Sequence, residues 1–210
     1  MRREAHLEEH FATPEHQAST ARLGMWIFLA TEVLFFTSLF VAYVVYRSVY
    51  AEQFKEAGHH MAVALGTINT YVLITSSLFV ALAHHFSKQG RSGLVAVLTL
   101  LAALLGIAFM VIKGIEYTRH FHEGLLPGGW WAFPGLTHPG AAMFVTLYWL
   151  TTGVHTVHVA IGVAVLAWLS FEAASGKYSS AYHSPVEMGG LYWHFVDAVW
   201  VFLYPMFYLV

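Results

Sequence analysis

Glu32 is the tenth residue of a run from Leu23 to Tyr46 that carries no other charge. If that run crosses a bilayer, an ionised carboxylate there costs about 2.5–3.5 kcal/mol on insertion scales. The cost is avoided by protonation or by a partner inside a helical bundle, so Glu32 is expected to face protein rather than lipid. Two uses of such a group stand side by side. It can handle protons, or it can tie helices together as a neutral hydrogen-bonding acid.

His155 and His158 lie three residues apart and so share a helical face, with Thr151 four positions before and Gly162 four after. One helix supplies only two metal ligands this way. With no thiolate and no matching intramembrane His or Asp cluster, interhelical hydrogen bonding is the preferred reading over a metal site. Three residues rise only about 4.5 Å, too little for the paired haem ligands of a membrane cytochrome b. His194 and Asp197 repeat the three-residue spacing near the C-terminus, as a proton relay or a satisfied pair. Lys113 and Glu116 read as a local interfacial ion pair worth little. Thr67, Asn69, Thr70, Thr75, Ser76 and Ser77 supply small polar groups for helix packing.

The elements that position these residues are membrane spans. The chain has 210 residues, of which 10% are charged and 58% hydrophobic, against roughly 25% charged in soluble domains. About 20 apolar residues cross a hydrocarbon core of about 30 Å. Five windows meet that length, predicting an all-α, polytopic bundle with five transmembrane helices at about 23–47, 61–85, 92–116, 140–171 and 188–209. The chain reads as one membrane domain, with 1–21 a polar N-terminal tail and 22–210 the bundle. The tail has no apolar core or small-residue cleavage site, so no signal peptide is expected.

Tyr117 to Gly140 contains three prolines and several glycines, predicting an ordered outer-surface loop in which Trp130 and Trp131 anchor at the headgroups. Trp193, Trp200, Tyr204 and Tyr208 are expected to face lipid or another subunit. His84 and His85 sit at a helix end and read as interfacial. Six Lys and Arg residues on one side against four on the other favour a cytoplasmic N-terminus and an external C-terminus. Zero cysteines exclude disulfides, thiolate metal sites and covalently attached haem c. No nucleotide-binding glycine loop, nucleophile elbow or inverted half-repeat is present, which removes soluble-type catalysis and weakens a transporter reading.

Several segments together resemble subunit III of cytochrome c oxidase and its quinol-oxidase relatives. They are LGMWIFLATEVLFF from Leu23, NTYVLITSSLFVALAHH from Asn69, IKGIEYTRHFHEGLLPG from Ile112, TTGVHTVHVAIG from Thr151 and GLYWHFVDAVWVFLY from Gly190. All five occur in the family's order. The first is similar to the family helix with a membrane-buried glutamate, which falls on Glu32; Glu116, His194 and Asp197 fall on other family-motif positions. Full-length members have seven spans, so the chain resembles the short five-helix bacterial form without the first two. Those two helices form one wall of a lipid-holding cleft in the longer members.

The resemblance implies a non-catalytic subunit of a haem-copper terminal oxidase, which reduces oxygen to water and pumps protons in aerobic respiration. It further implies no cofactor in this chain, with haem and copper in partner subunits I and II and room for bound phospholipid. The implied place is the bacterial inner membrane, among lipids and compatible with a larger respiratory supercomplex, with no nucleic-acid partner. The implied role is to support proton uptake and stability of the catalytic subunit, with Glu32 central and hydrogen-bonded to His155 or His158. The alternative is a subunit III-like accessory protein of a nitric oxide reductase or another membrane assembly.

Overall fold

A computed structural model describes residues 13–127, 138–180 and 182–210, apart from the side chains of Pro14 and Glu15. Trp130 and Trp131 of the proposed anchor lie outside the described residues, as do residues 1–12 of the tail. Six helices are described: α1 (Pro14–Val49), α2 (Ala51–Gly58), α3 (Val63–Lys88), α4 (Ser92–Glu123), α5 (Pro139–Ala174) and α6 (Ser184–Tyr208). The described residues form no strand.

Four helices are long and apolar enough to cross a membrane: His16–Val49 of α1, together with α3, α4 and α5. α6 has 25 residues, a length of about 38 Å at 1.5 Å per residue. Its apolar run is diluted by His194, Asp197, Pro205 and several Trp and Tyr side chains, so composition alone does not mark it as a span.

Two boundaries differ most from the sequence reading. α1 begins at Pro14 rather than near Leu23, because the Thr13 hydroxyl accepts the amide hydrogen of His16 and caps the helix. The polar segment behind it, EHQASTAR, contains no helix breaker. α4 continues through seven residues that were expected to begin the loop. It stops at Glu123 because Gly124 adopts φ 78° and its amide donates to the His120 and Phe121 carbonyls. The prolines that argued for a loop all lie beyond that glycine. The short α2 was not anticipated at all; Phe54 and Ala57 dock it on the bundle.

α3, α4, α5 and α6 form the packed body, with α3 against α4 and α6, and α5 against α4 and α6. α1 lies at the edge, against α5 and α6. Its inward stripe is narrow, Leu29, Phe36 and Tyr43, a seven-residue repeat suited to one seam. The rest of its surface is exposed and apolar, including Leu34, Val44 and Leu23. The other spans show the same outward Leu, Ile, Val and Phe, the pattern of a protein whose surroundings are hydrocarbon rather than water.

Close helix contact depends on glycine at two facing positions. A Cβ on Gly106 of α4 would stand 2.7 Å from the Trp193 ring, and one on Gly162 of α5 would stand 2.6 Å from it. The indole thereby fills the space between α4 and α5. Small polar groups add cross-helix bonds: Ser76 donates to the Ala102 carbonyl at 3.0 Å, Ser170 to the Ala96 carbonyl at 2.8 Å, and the Trp200 Nε1–H to Thr70 at 3.0 Å. Trp193, Trp200 and Tyr208 are core residues, not lipid-facing ones. Inside a bundle with no hydrophobic drive between helices, large rings packed against glycine maximise dispersion contact.

Candidate functional site

Glu32 sits on the inward stripe of α1, between Leu29 and Phe36. That stripe meets the face of α5 carrying His158, and the His158 Nε2 lies 3.1 Å from the Glu32 Oε2. The pair is largely shielded, with side chains 19% and 16% exposed for Glu32 and His158 respectively. Phe36 approaches the imidazole edge at 5.2 Å and Phe35 stacks on it at 6.4 Å.

The other imidazole nitrogen settles what this contact can do. Nδ1 of His158 lies 2.9 Å from the Val154 carbonyl, which only accepts, so Nδ1 carries a hydrogen. Nε2 and Glu32 therefore share one proton: either the imidazole is cationic against a carboxylate, or a neutral imidazole accepts from a protonated carboxyl. Both forms have the same total charge. The contact shares a single proton at the edge of an apolar bundle.

His155 does not join it. Although it is one turn from His158, it points into the core, stacked on Trp200 at 5.4 Å and edge-on to Phe109 at 5.8 Å. Both its ring nitrogens are buried without a hydrogen-bond partner among the described residues, as is the Thr151 hydroxyl one turn earlier. Two histidines on one helical face thus serve different neighbours.

The second polar centre was misjudged from the sequence. Lys113 and Glu116 are not an interfacial pair: their side chains are 1% and 0% exposed. The Lys113 ammonium donates to Glu116 Oε2 at 3.1 Å, to the Tyr148 hydroxyl at 2.9 Å and to the Tyr208 hydroxyl at 2.8 Å. Those two hydroxyls donate in turn to Glu116 Oε1 at 2.7 and 2.6 Å. The three ammonium hydrogens are all used, and the Tyr117 and Tyr148 rings each lie 4.8 Å from Nζ. The network is closed and joins α4, α5 and the last turn of α6. It was missed because continuation of α4 to Glu123 carries Lys113 and Glu116 inside the helix, level with tyrosines distant in sequence.

His194 and Asp197 do not bond to each other in the structure. His194 Nδ1 lies 2.6 Å from the Ser77 hydroxyl on α3, and the Asp197 Oδ1 is buried without a partner among the described residues. At the helix end, Glu187 takes a bidentate contact from Arg22 at 3.0 and 3.3 Å. Among the described residues no group of three or more His, Cys, Asp or Glu side chains is arranged to hold a metal ion.

Comparison with known proteins places this geometry in context. The sequence profile of the family described as cytochrome c oxidase subunit III matches residues 2–124 and 135–210. The chain is 28% identical over 211 residues to the quinol oxidase subunit 3 of Bacillus subtilis, covering 95% of this chain and 93% of the relative. It is 31% identical over 188 residues to the cytochrome c oxidase subunit 3 of Synechocystis sp., covering 89% and 74% respectively. A heme-copper oxidase subunit I+III from Aeropyrum pernix is 31% identical over 214 residues, which span 96% of this chain and 24% of that longer protein.

Proposed function

Because the chain belongs to the cytochrome c oxidase subunit III family, we propose that it is the accessory subunit of a haem-copper respiratory oxidase, tuning proton delivery to a catalytic subunit whose redox centres it does not hold. The single-proton contact between Glu32 and His158 carries this reading. It joins α1 to the packed body and lies in the apolar part of α1, where a group able to lose and regain one proton is costly to keep without a use. Haem and copper belong to the other core subunits in this reading, and the isolated chain is colourless and inactive. The one-chain fusion of subunits I and III in Aeropyrum pernix supports direct contact with subunit I.

In this arrangement α6 is the fifth span: 25 residues are long enough to cross, and the polar residues that lower its hydropathy face α3 rather than lipid. An N-terminus on the cytoplasmic side then places the His84, Glu187 and Arg22 ends of the helices toward the cytoplasm. The Lys and Arg bias of the connections supports that orientation.

The test is Glu32→Gln in the purified complex. Glutamine keeps the shape and a hydrogen bond to His158 but holds no transferable proton. Proton uptake or the lifetime of the enzyme during turnover is expected to fall, with haem spectrum and subunit composition unchanged. Unaltered uptake and lifetime would remove the functional reading of Glu32; loss of the chain from the complex would assign it a structural one.

A further inference from the structure

A separate set of titratable groups lies along the seam between α3 and α6. His84, Glu187 and His194 line a pocket of about 220 Å³ with Ala81, Gly190 and Leu191. His194 is held by Ser77 at 2.6 Å, and the Ser77 hydroxyl also faces the Asp197 carboxyl. Glu187, His194 and Asp197 follow one face of α6 over ten residues, a rise of about 15 Å. His84 and Ser77 match them on α3. Polar groups therefore descend from the helix ends toward the middle of the span, between outward apolar residues such as Leu78, Leu82 and Phe202.

Packing does not require this. A seam of apolar and small residues would hold two helices as well, and two members are left with unused hydrogen-bonding capacity. The Nδ1 of His84 and the Oδ1 of Asp197 are buried with no partner among the described residues. The charged and titratable surroundings are Arg22 from α1, Lys88 at the end of α3 and His183 before α6. Arg22 holds Glu187 at the mouth without closing the pocket.

The geometry points to a proton-receiving site in the α3/α6 seam, in which Glu187 and His84 collect protons at the helix ends and His194, through Ser77, passes them to Asp197. The transfer balances as a proton hop. A proton arrives on Nε2 of neutral His194, the Nδ1 hydrogen moves to Ser77 Oγ, and the serine's own hydroxyl hydrogen goes to the Asp197 carboxylate. No bond other than O–H and N–H changes, and no electrons are exchanged. His194 and Ser77 are positioning and relay groups for a reaction that occurs in another subunit, so the inference rests on the proposed role in proton delivery.

The experiment uses the intact oxidase complex, with a pH-indicator dye reporting proton uptake during turnover at about pH 6 and about pH 9, where protons are plentiful and scarce relative to imidazole titration. His194→Phe, Ser77→Ala and Glu187→Gln are each expected to slow uptake several-fold at the higher pH and to leave it unchanged at the lower one, with the chain retained and the haem spectrum intact. A purely structural seam would lower uptake equally at both. Wild-type uptake at both pH values in His194→Phe and Glu187→Gln overturns the proposal. Complex stripped of this chain separates the two readings. If stripping slows uptake while the variants do not, only the seam is wrong; if stripping has no effect, the delivery role fails with it.

Discussion

Glu32 and Glu116 each meet a basic side chain inside the helical bundle, and their surroundings differ sharply. Glu116 is fully buried, accepts from three donors and faces an ammonium whose hydrogens are all committed. Glu32 keeps a fifth of its side chain exposed and touches one imidazole nitrogen. A closed network holds its protons in place and joins α4, α5 and α6. In the proposed role, the open contact with one shared proton is the one able to exchange it. The two carboxylates differ in number of partners as well as in depth.

Breaking the closed network is expected to have the largest effect. Glu116→Leu leaves a buried ammonium unpaired and should destabilise the chain by about 3–5 kcal/mol. Unfolding in detergent, or recovery of the chain with the complex, measures it. Adding Lys113→Met to that variant should restore much of the loss, since an apolar pair replaces a broken ionic one. The two tyrosine hydroxyls, 3.5 Å apart, can then bond to each other. A double variant no more stable than Glu116→Leu would contradict the account of Lys113 as the destabilising remnant.

Removing one donor is a milder test. Tyr208→Phe deletes two hydrogen bonds, one donated to the Glu116 carboxylate and one accepted from the Lys113 ammonium, and is expected to cost about 1.5–3 kcal/mol. The smallest expected change sharpens the contrast. Glu32→Gln should alter stability by less than about 1 kcal/mol, in the range of a single interhelical hydrogen bond within a membrane. If it destabilises as strongly as Glu116→Leu, the distinction between the two sites disappears.

Much of the scaffold was legible. Charge-free windows of about 20 residues located α1, α3, α4 and α5 because hydrocarbon excludes charge along a whole span. The isolation of Glu32 in such a window marked it for the same reason. The helix ends were less legible: the cap at Thr13 and the left-handed Gly124 act through single hydrogen bonds, which hydropathy does not register. Trp193 and Trp200 were expected to face lipid or another subunit, yet both are buried in the core. The glycines at 106 and 162 that admit Trp193 to the core belong to other helices.

The order of spans, their approximate limits and the presence of one carboxyl inside an apolar run were thus determined by the sequence itself, since each follows from the local cost of placing polar groups in lipid. Which partner each polar group meets was decided only by tertiary structure. Lys113 bonds to a tyrosine 95 residues away and Glu32 to a histidine 126 residues away. Such pairings depend on helix rotation and tilt, which many weak side-chain contacts set together and no local pattern encodes.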